Sequence, residues 1–158
     1  MKECTCNVLF KNFTWKNLKL LSEKELPKLP GVYAIRIIKR GKPINEVKET
    51  FLGIIEKTSW KGLKEYVENR LNRLNRINEC PIIYIGSTAN LQSRFKDLCG
   101  RRHTAFFPIF ALLIANWELE IGWQKLDNKN KAKETEKNLK EKYEKIHGKL
   151  PALVKDYR

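Results

Sequence analysis

The chain has 158 residues, enough for one compact domain with a real core and too few to expect two. Its 32 Lys and Arg stand against 18 Asp and Glu, a formal net charge of +14. A domain this basic is expected to seek polyanions, with nucleic acid first, because each cation set against a phosphate releases a condensed counterion. The longest apolar run, Ala105 to Trp117, is too short to cross a bilayer and carries Pro108. Met1 to Cys6 is polar with no apolar stretch behind it, so no secretory signal, no membrane association and a cytoplasmic location are expected.

Residues 1–29 read as a polar lead-in whose Trp15, Leu18 and Leu21 pack one helical turn onto the domain. Within it, Cys4-Thr5-Cys6 is the one cysteine cluster. Cys80 and Cys99 lie elsewhere, no paired C-x-x-C spacing occurs, and ordinary thiols are the expectation, with metal binding and a disulfide left open. Leu29-Pro30-Gly31 punctuates the chain, and the β-branched run Val32 to Ile38 follows as a strand. Residues 40–79 read as an insertion built on one amphipathic helix over 58–78, where Trp60, Leu63, Val67, Leu71 and Leu74 recur at steps of three and four. Arg70, Arg73 and Arg76 line its flank, as phosphate contacts, a solvated face or a dimer contact.

Pro81 to Gly86 is a second strand, and its continuous apolar run predicts a central position, buried on both faces. Asn90 caps a helix with the stripe Leu91, Phe95 and Leu98. Arg94 sits at the rim of that stripe, either covering the core with its methylenes or clamping a phosphate near the strand end. A core helix then runs to Trp117, and Leu119, Ile121 and Trp123 alternate with Glu120, Gly122 and Gln124 as a third strand. The last helix spans Ala132 to His147 and stops at Gly148 and Pro151. At about 100° per residue, Ala132, Leu139, Tyr143 and Ile146 share one face, and Glu136 falls within about 40° of Ala132 on it. A carboxylate on a core-facing stripe either reaches water at the edge or needs an arginine, a hydroxyl or a metal ion.

These blocks occur in order: Gly31-Val32-Tyr33, then Tyr84-Ile85-Gly86-Ser87, then Asn90-Leu91 with Arg94, then Glu136 with Leu139. The series resembles the signature of the GIY-YIG endonuclease superfamily over residues 29–154, and His147-Gly148-Lys149-Leu150-Pro151-Ala152-Leu153 resembles the tail of some members. The resemblance implies an α+β fold with a small three-stranded antiparallel sheet flanked by helices, and an inserted helix between the first two strands. It implies a divalent-metal-dependent endonuclease acting on DNA, with Glu136 as the one protein ligand of Mg²⁺ or Mn²⁺. Tyr33 would activate the attacking water, Tyr84 would position water or phosphate, and Arg94 would clamp the scissile phosphate. His103 fits less well, because the histidine that many relatives carry one turn after the arginine is Leu98 here. It follows Gly100-Arg101-Arg102 instead, as a phosphate or leaving-group contact, and Arg101 and Arg102 count as DNA contacts. Val154 stands where the family often has asparagine. These departures keep a second reading alive, a nucleic-acid-binding module of the same fold with reduced catalysis, as monomer or homodimer.

Overall fold

A computed structural model describes residues 4–100 and 102–155; Arg101, one of the expected DNA contacts, lies outside the described residues. The elements follow as β1 (Thr14–Asn17), β2 (Gly31–Lys39), α1 (Ile44–Glu56), α2 (Lys61–Leu71), β3 (Ile82–Thr88), α3 (Leu91–Leu98), α4 (Phe106–Ile114), β4 (Glu118–Lys125) and α5 (Lys129–His147). Tight helical turns cover Thr5–Phe10, Glu23–Glu25 and Asn72–Arg76. The strands form one antiparallel sheet in the order β1-β4-β2-β3. No helix among the described residues is long and apolar enough to cross a membrane.

The α+β architecture with an antiparallel sheet agrees with expectation, but the sheet has four strands among the described residues and not three. The fourth is β1, in the segment read as a helical turn. Thr14 pairs with Trp123 and Trp15 with Gly122. A side chain at Gly122 would meet the Trp15 indole at 2.6 Å, so glycine makes room for that ring on the sheet. Arg36 lies 3.9 Å from the centre of the indole, and Phe13 stacks against the same ring. Four residues with Lys16 and Asn17 among them carry too little alternation to announce a strand.

A second correction concerns β3. It is an edge strand, and β2 is the central one, hydrogen-bonded to both β4 and β3. The apolar run arises because β3 is covered on both faces and at its free edge, where the Leu153 N–H donates to the Ile83 carbonyl at 2.9 Å. The insertion also differs, holding two helices. α1 buries Val47 and Phe51, and the expected 58–78 helix starts at Lys61 and tightens at Asn72. Trp60 precedes α2 and is 62% exposed, off the buried stripe of Val67, Leu71 and Leu74.

Alternation along β2 divides the core into two layers. Tyr33, Ile35 and Ile37 face one side, packed with α1 to α4. Val32 and Ala34 face the other, with Ile82 and Ile85, where Leu139 and Tyr143 of α5 cover them together with Cys6 and Phe10. Ile146, expected on the same stripe, is 43% exposed, whereas Ala132, Leu139 and Tyr143 are buried. That helix is closed at both ends: Asn128 Oδ1 accepts the Lys131 N–H at 2.8 Å, and Gly148 takes the left-handed φ of 75° that favours glycine.

Candidate active site

The register of β2 on β3 sets Tyr33 opposite Gly86 and Ile35 opposite Tyr84, so both tyrosines stand on one face. Their rings stack with centroids 5.6 Å apart. Gly86 is what permits this: a Cβ there would lie 2.8 Å from Tyr33 Cζ, from the Tyr33 hydroxyl and from Tyr84 Cε1. The strand gives up a side chain so that the Tyr33 ring can cross it.

Above the rings, α3 is pinned to the entry of β2. The Leu91 N–H donates to the Leu29 carbonyl at 2.9 Å, and Asn90 Oδ1 caps the helix through the Ser93 N–H. A Cβ at Gly31 would fall 2.7 Å from Leu91 Cδ1, so glycine also allows this close approach. One turn on, Arg94 Nε donates to the Tyr33 hydroxyl at 3.1 Å, and its Nη1 lies 3.5 Å from Asp97.

His103 completes the junction from the loop before α4. It is 2% exposed, and its Nε2 is 2.9 Å from the Tyr33 hydroxyl. The Ala105 N–H donates to Nδ1 at 3.0 Å, which places the ring proton on Nε2 and makes His103 a second donor to Tyr33. Burial, with the Arg94 charge adding to it, pushes the imidazole down to about 3, so it is neutral at physiological pH. Tyr33 is held well above the ordinary phenol range, first by burial and then by Tyr84, while Arg94 works in the opposite direction. The resting group is therefore a neutral phenol whose oxygen receives two N–H donors, a geometry that suits negative charge once it forms.

Four of the five expected catalytic residues, Tyr33, Tyr84, Arg94 and His103, thus converge on one face of the sheet. The fifth, Glu136, comes from the opposite layer. α5 starts beside the sheet end marked by Gly31 and Lys125, and Glu136 sits in its second turn, 16% exposed. Its Oε2 accepts from Lys140 Nζ at 2.9 Å, and Lys140 is itself buried. The inward carboxylate predicted from the helical stripe is present, and its partner is a lysine one turn later that the sequence reading passed over. A half-buried carboxylate is the hard oxygen donor that Mg²⁺ or Mn²⁺ takes, so Glu136 fits such an ion in donor type while sharing itself with an ammonium.

Beside the junction, a cleft of about 780 Å³ opens between α2 and α3, lined by Trp60, Leu63, Tyr66, Lys96, Asp97 and Arg102. Arg102 is exposed there, next to His103. Arg70 lies over the Tyr66 ring at 3.3 Å and donates to the Tyr66 carbonyl, while Arg73 and Arg76 lie in the following turn, Arg76 exposed. Trp60 and Tyr66 were not singled out as site residues; a tryptophan directly before a helix that carries Lys61, Lys64 and Arg70 was the available signal. Leu98 and Val154, the two departures from the family pattern, are both buried and serve as core packing.

The architecture is a small α+β domain with a cluster of titratable side chains on a sheet face, and the sequence comparison gives its family. The chain matches the model of the GIY-YIG catalytic domain over residues 62–149, more than half its length, and belongs to that family. Members are generally nucleases, typically dependent on a divalent metal. The matched segment holds Tyr84, Arg94, His103 and Glu136 but begins after Tyr33, which the β2–β3 register brings to the others. No curated protein and no solved structure gives a significant match.

Proposed function

We propose that the protein is a divalent-metal-dependent endonuclease that hydrolyses phosphodiester bonds in DNA. The observation that carries this reading is the Tyr33 hydroxyl, buried, receiving N–H donors from both Arg94 and His103. Burial makes the Tyr33 phenolate a strong base, and the two donors hold its charge while it takes a proton from the attacking water. Arg94 gives Nε to Tyr33 and Nη1 to Asp97, which leaves Nη2 to meet the scissile phosphate, with Nη1 able to join it on leaving the loose Asp97 pair. Tyr84, half-buried and stacked on Tyr33, positions water or phosphate at the rim. Glu136 is the residue that would hold Mg²⁺ or Mn²⁺, which when bound supplies Lewis-acid polarisation of a phosphoryl oxygen. The basic charge and the Trp60–Arg102 cleft beside the cluster support DNA as the substrate.

A second reading, a DNA-binding module with reduced catalysis, is favoured by the Lys140 ammonium already seated on Glu136. A plasmid assay separates the two. With Mg²⁺ or Mn²⁺ the native chain should nick or linearise supercoiled DNA, Tyr33→Phe should slow this by about 10²- to 10⁴-fold, and Glu136→Ala should abolish it while retaining DNA binding. Gel shifts with no metal-dependent product would establish the binding module, and full cleavage by Glu136→Ala would remove that residue from the metal role.

A further inference from the structure

The chain holds four cysteines and two histidines, and folding sorts them into three places. His103 goes to the tyrosine junction, and Cys99 stays exposed. The remaining four, Cys4, Cys6, Cys80 and His147, come from the N-terminal turn, the foot of β3 and the last residue of α5. Their donor atoms all lie within 4.8 Å of one another. Cys4 Sγ is 3.4 Å from Cys6 Sγ and 3.4 Å from His147 Nε2, and Cys6 Sγ is 3.4 Å from Cys80 Sγ.

Disulfide bonding does not explain the cluster. Bonded sulfurs stand about 2.05 Å apart, and all four cysteines are free thiols. Thiols are weak hydrogen-bond partners, so three of them converging with an imidazole gain little from one another as neutral groups. A tetrahedron of ligands around one ion at about 2.3 Å has sulfurs about 3.8 Å apart, close to the spacing found. The surroundings point the same way. The Tyr143 ring lies 4.4 Å from the His147 ring and fixes its orientation. The Tyr143 hydroxyl also donates to the Ile82 carbonyl at 3.4 Å, so the residue that packs on the His147 ring braces the strand foot that carries Cys80.

We propose that Cys4, Cys6, Cys80 and His147 form a structural zinc site. Three soft thiolates and one imidazole make a closed four-ligand shell, which suits Zn²⁺ and leaves no position for substrate. The site is separate from the hard-oxygen carboxylate of Glu136, which lies eleven residues earlier on the same helix, about 16 Å along its axis. Its role is mechanical: it ties the start of the chain and the foot of β3 to the end of α5. These are the contacts that seat α5, and with it Glu136, on the sheet.

The test uses the full chain, purified with a reductant and no chelator. Elemental analysis should find one zinc per chain. Cobalt refolded into the metal-free protein should give the visible absorption of a tetrahedral cobalt–thiolate centre. A thiol reagent should titrate Cys99 alone in the zinc form and all four cysteines after chelation, with the thermal midpoint falling by roughly 10 °C. Cys80→Ser should lose the bound zinc. Because that variant is apt to misfold, the cobalt and thiol measurements on the unaltered chain decide the matter. The proposal is overturned if the reduced chain carries no zinc and shows no tetrahedral cobalt spectrum, or if mass spectrometry finds two of Cys4, Cys6 and Cys80 joined as a disulfide. None of these readouts involves DNA, so their failure leaves the nuclease reading untouched.

Discussion

Acid should destabilise this protein through His103, by an amount the structure sets. The imidazole is held at about 3 in the folded chain, and an unfolded histidine titrates near 6.5. Between those values the unfolded chain binds a proton that the folded one refuses, so the contribution is complete above pH 6.5 and drains away as pH falls toward 3. Each unit corresponds to about 1.4 kcal/mol, which gives about 2 kcal/mol lost between pH 7 and pH 5. At 2% exposure there is little solvent to screen the effect. Urea unfolding of the native chain and of His103→Gln, each at pH 7 and pH 5, isolates it. The variant should be the less stable at pH 7, because the Tyr33 hydroxyl and the Ala105 N–H lose a matched partner. At pH 5 the difference should shrink by about 2 kcal/mol. Groups that titrate equally in both proteins, the thiol cluster included, cancel. An unchanged difference at the two pH values would refute the claim that His103 is kept neutral by burial.

Gly86→Ala should destabilise the chain by about 1–3 kcal/mol, because the new methyl meets both tyrosine rings at 2.8 Å. Its cleavage rate should fall further than its stability, and a variant as stable and active as the parent would show that the rings have room to move. Arg102→Ala should lower the slope of log affinity against log salt by about one, whereas Trp60→Ala should weaken binding of single-stranded oligonucleotides by about 1–3 kcal/mol with little change in slope. Binding indifferent to both substitutions would place the DNA path outside the cleft between α2 and α3.

The tyrosine blocks, Arg94, the Asn90 cap and the inward Glu136 were all legible in the chain, because each is a local pattern: a β-branched run ending in glycine, a cap, a carboxylate on a helical stripe. The apolar pattern also revealed α2 and α5 in outline, though not the break at Ser59 and Trp60 that separates α1 from α2. Strand order was not legible. An edge strand covered on every side has the same apolar sequence as a central one, and β3 was misplaced for that reason. β1 escaped because its partner lies over a hundred residues away and its one strong signal, Trp15, depends on the absent side chain of Gly122.

Sequence alone settled the family and the net positive charge and supplied the residues proposed for the site, since these rest on composition and on motifs that keep their order whatever the fold does. Only the tertiary structure decided how they meet. It put His103 against Tyr33, Lys140 beside Glu136 and Cys80 beside His147, pairs whose members are seventy, four and sixty-seven residues apart. For the distant pairs, chain spacing carries no information about a hydrogen bond or a ligand shell; sheet register and helix packing bring those atoms within reach. For the near pair, the helix set the spacing, but only burial made the lysine a partner worth holding.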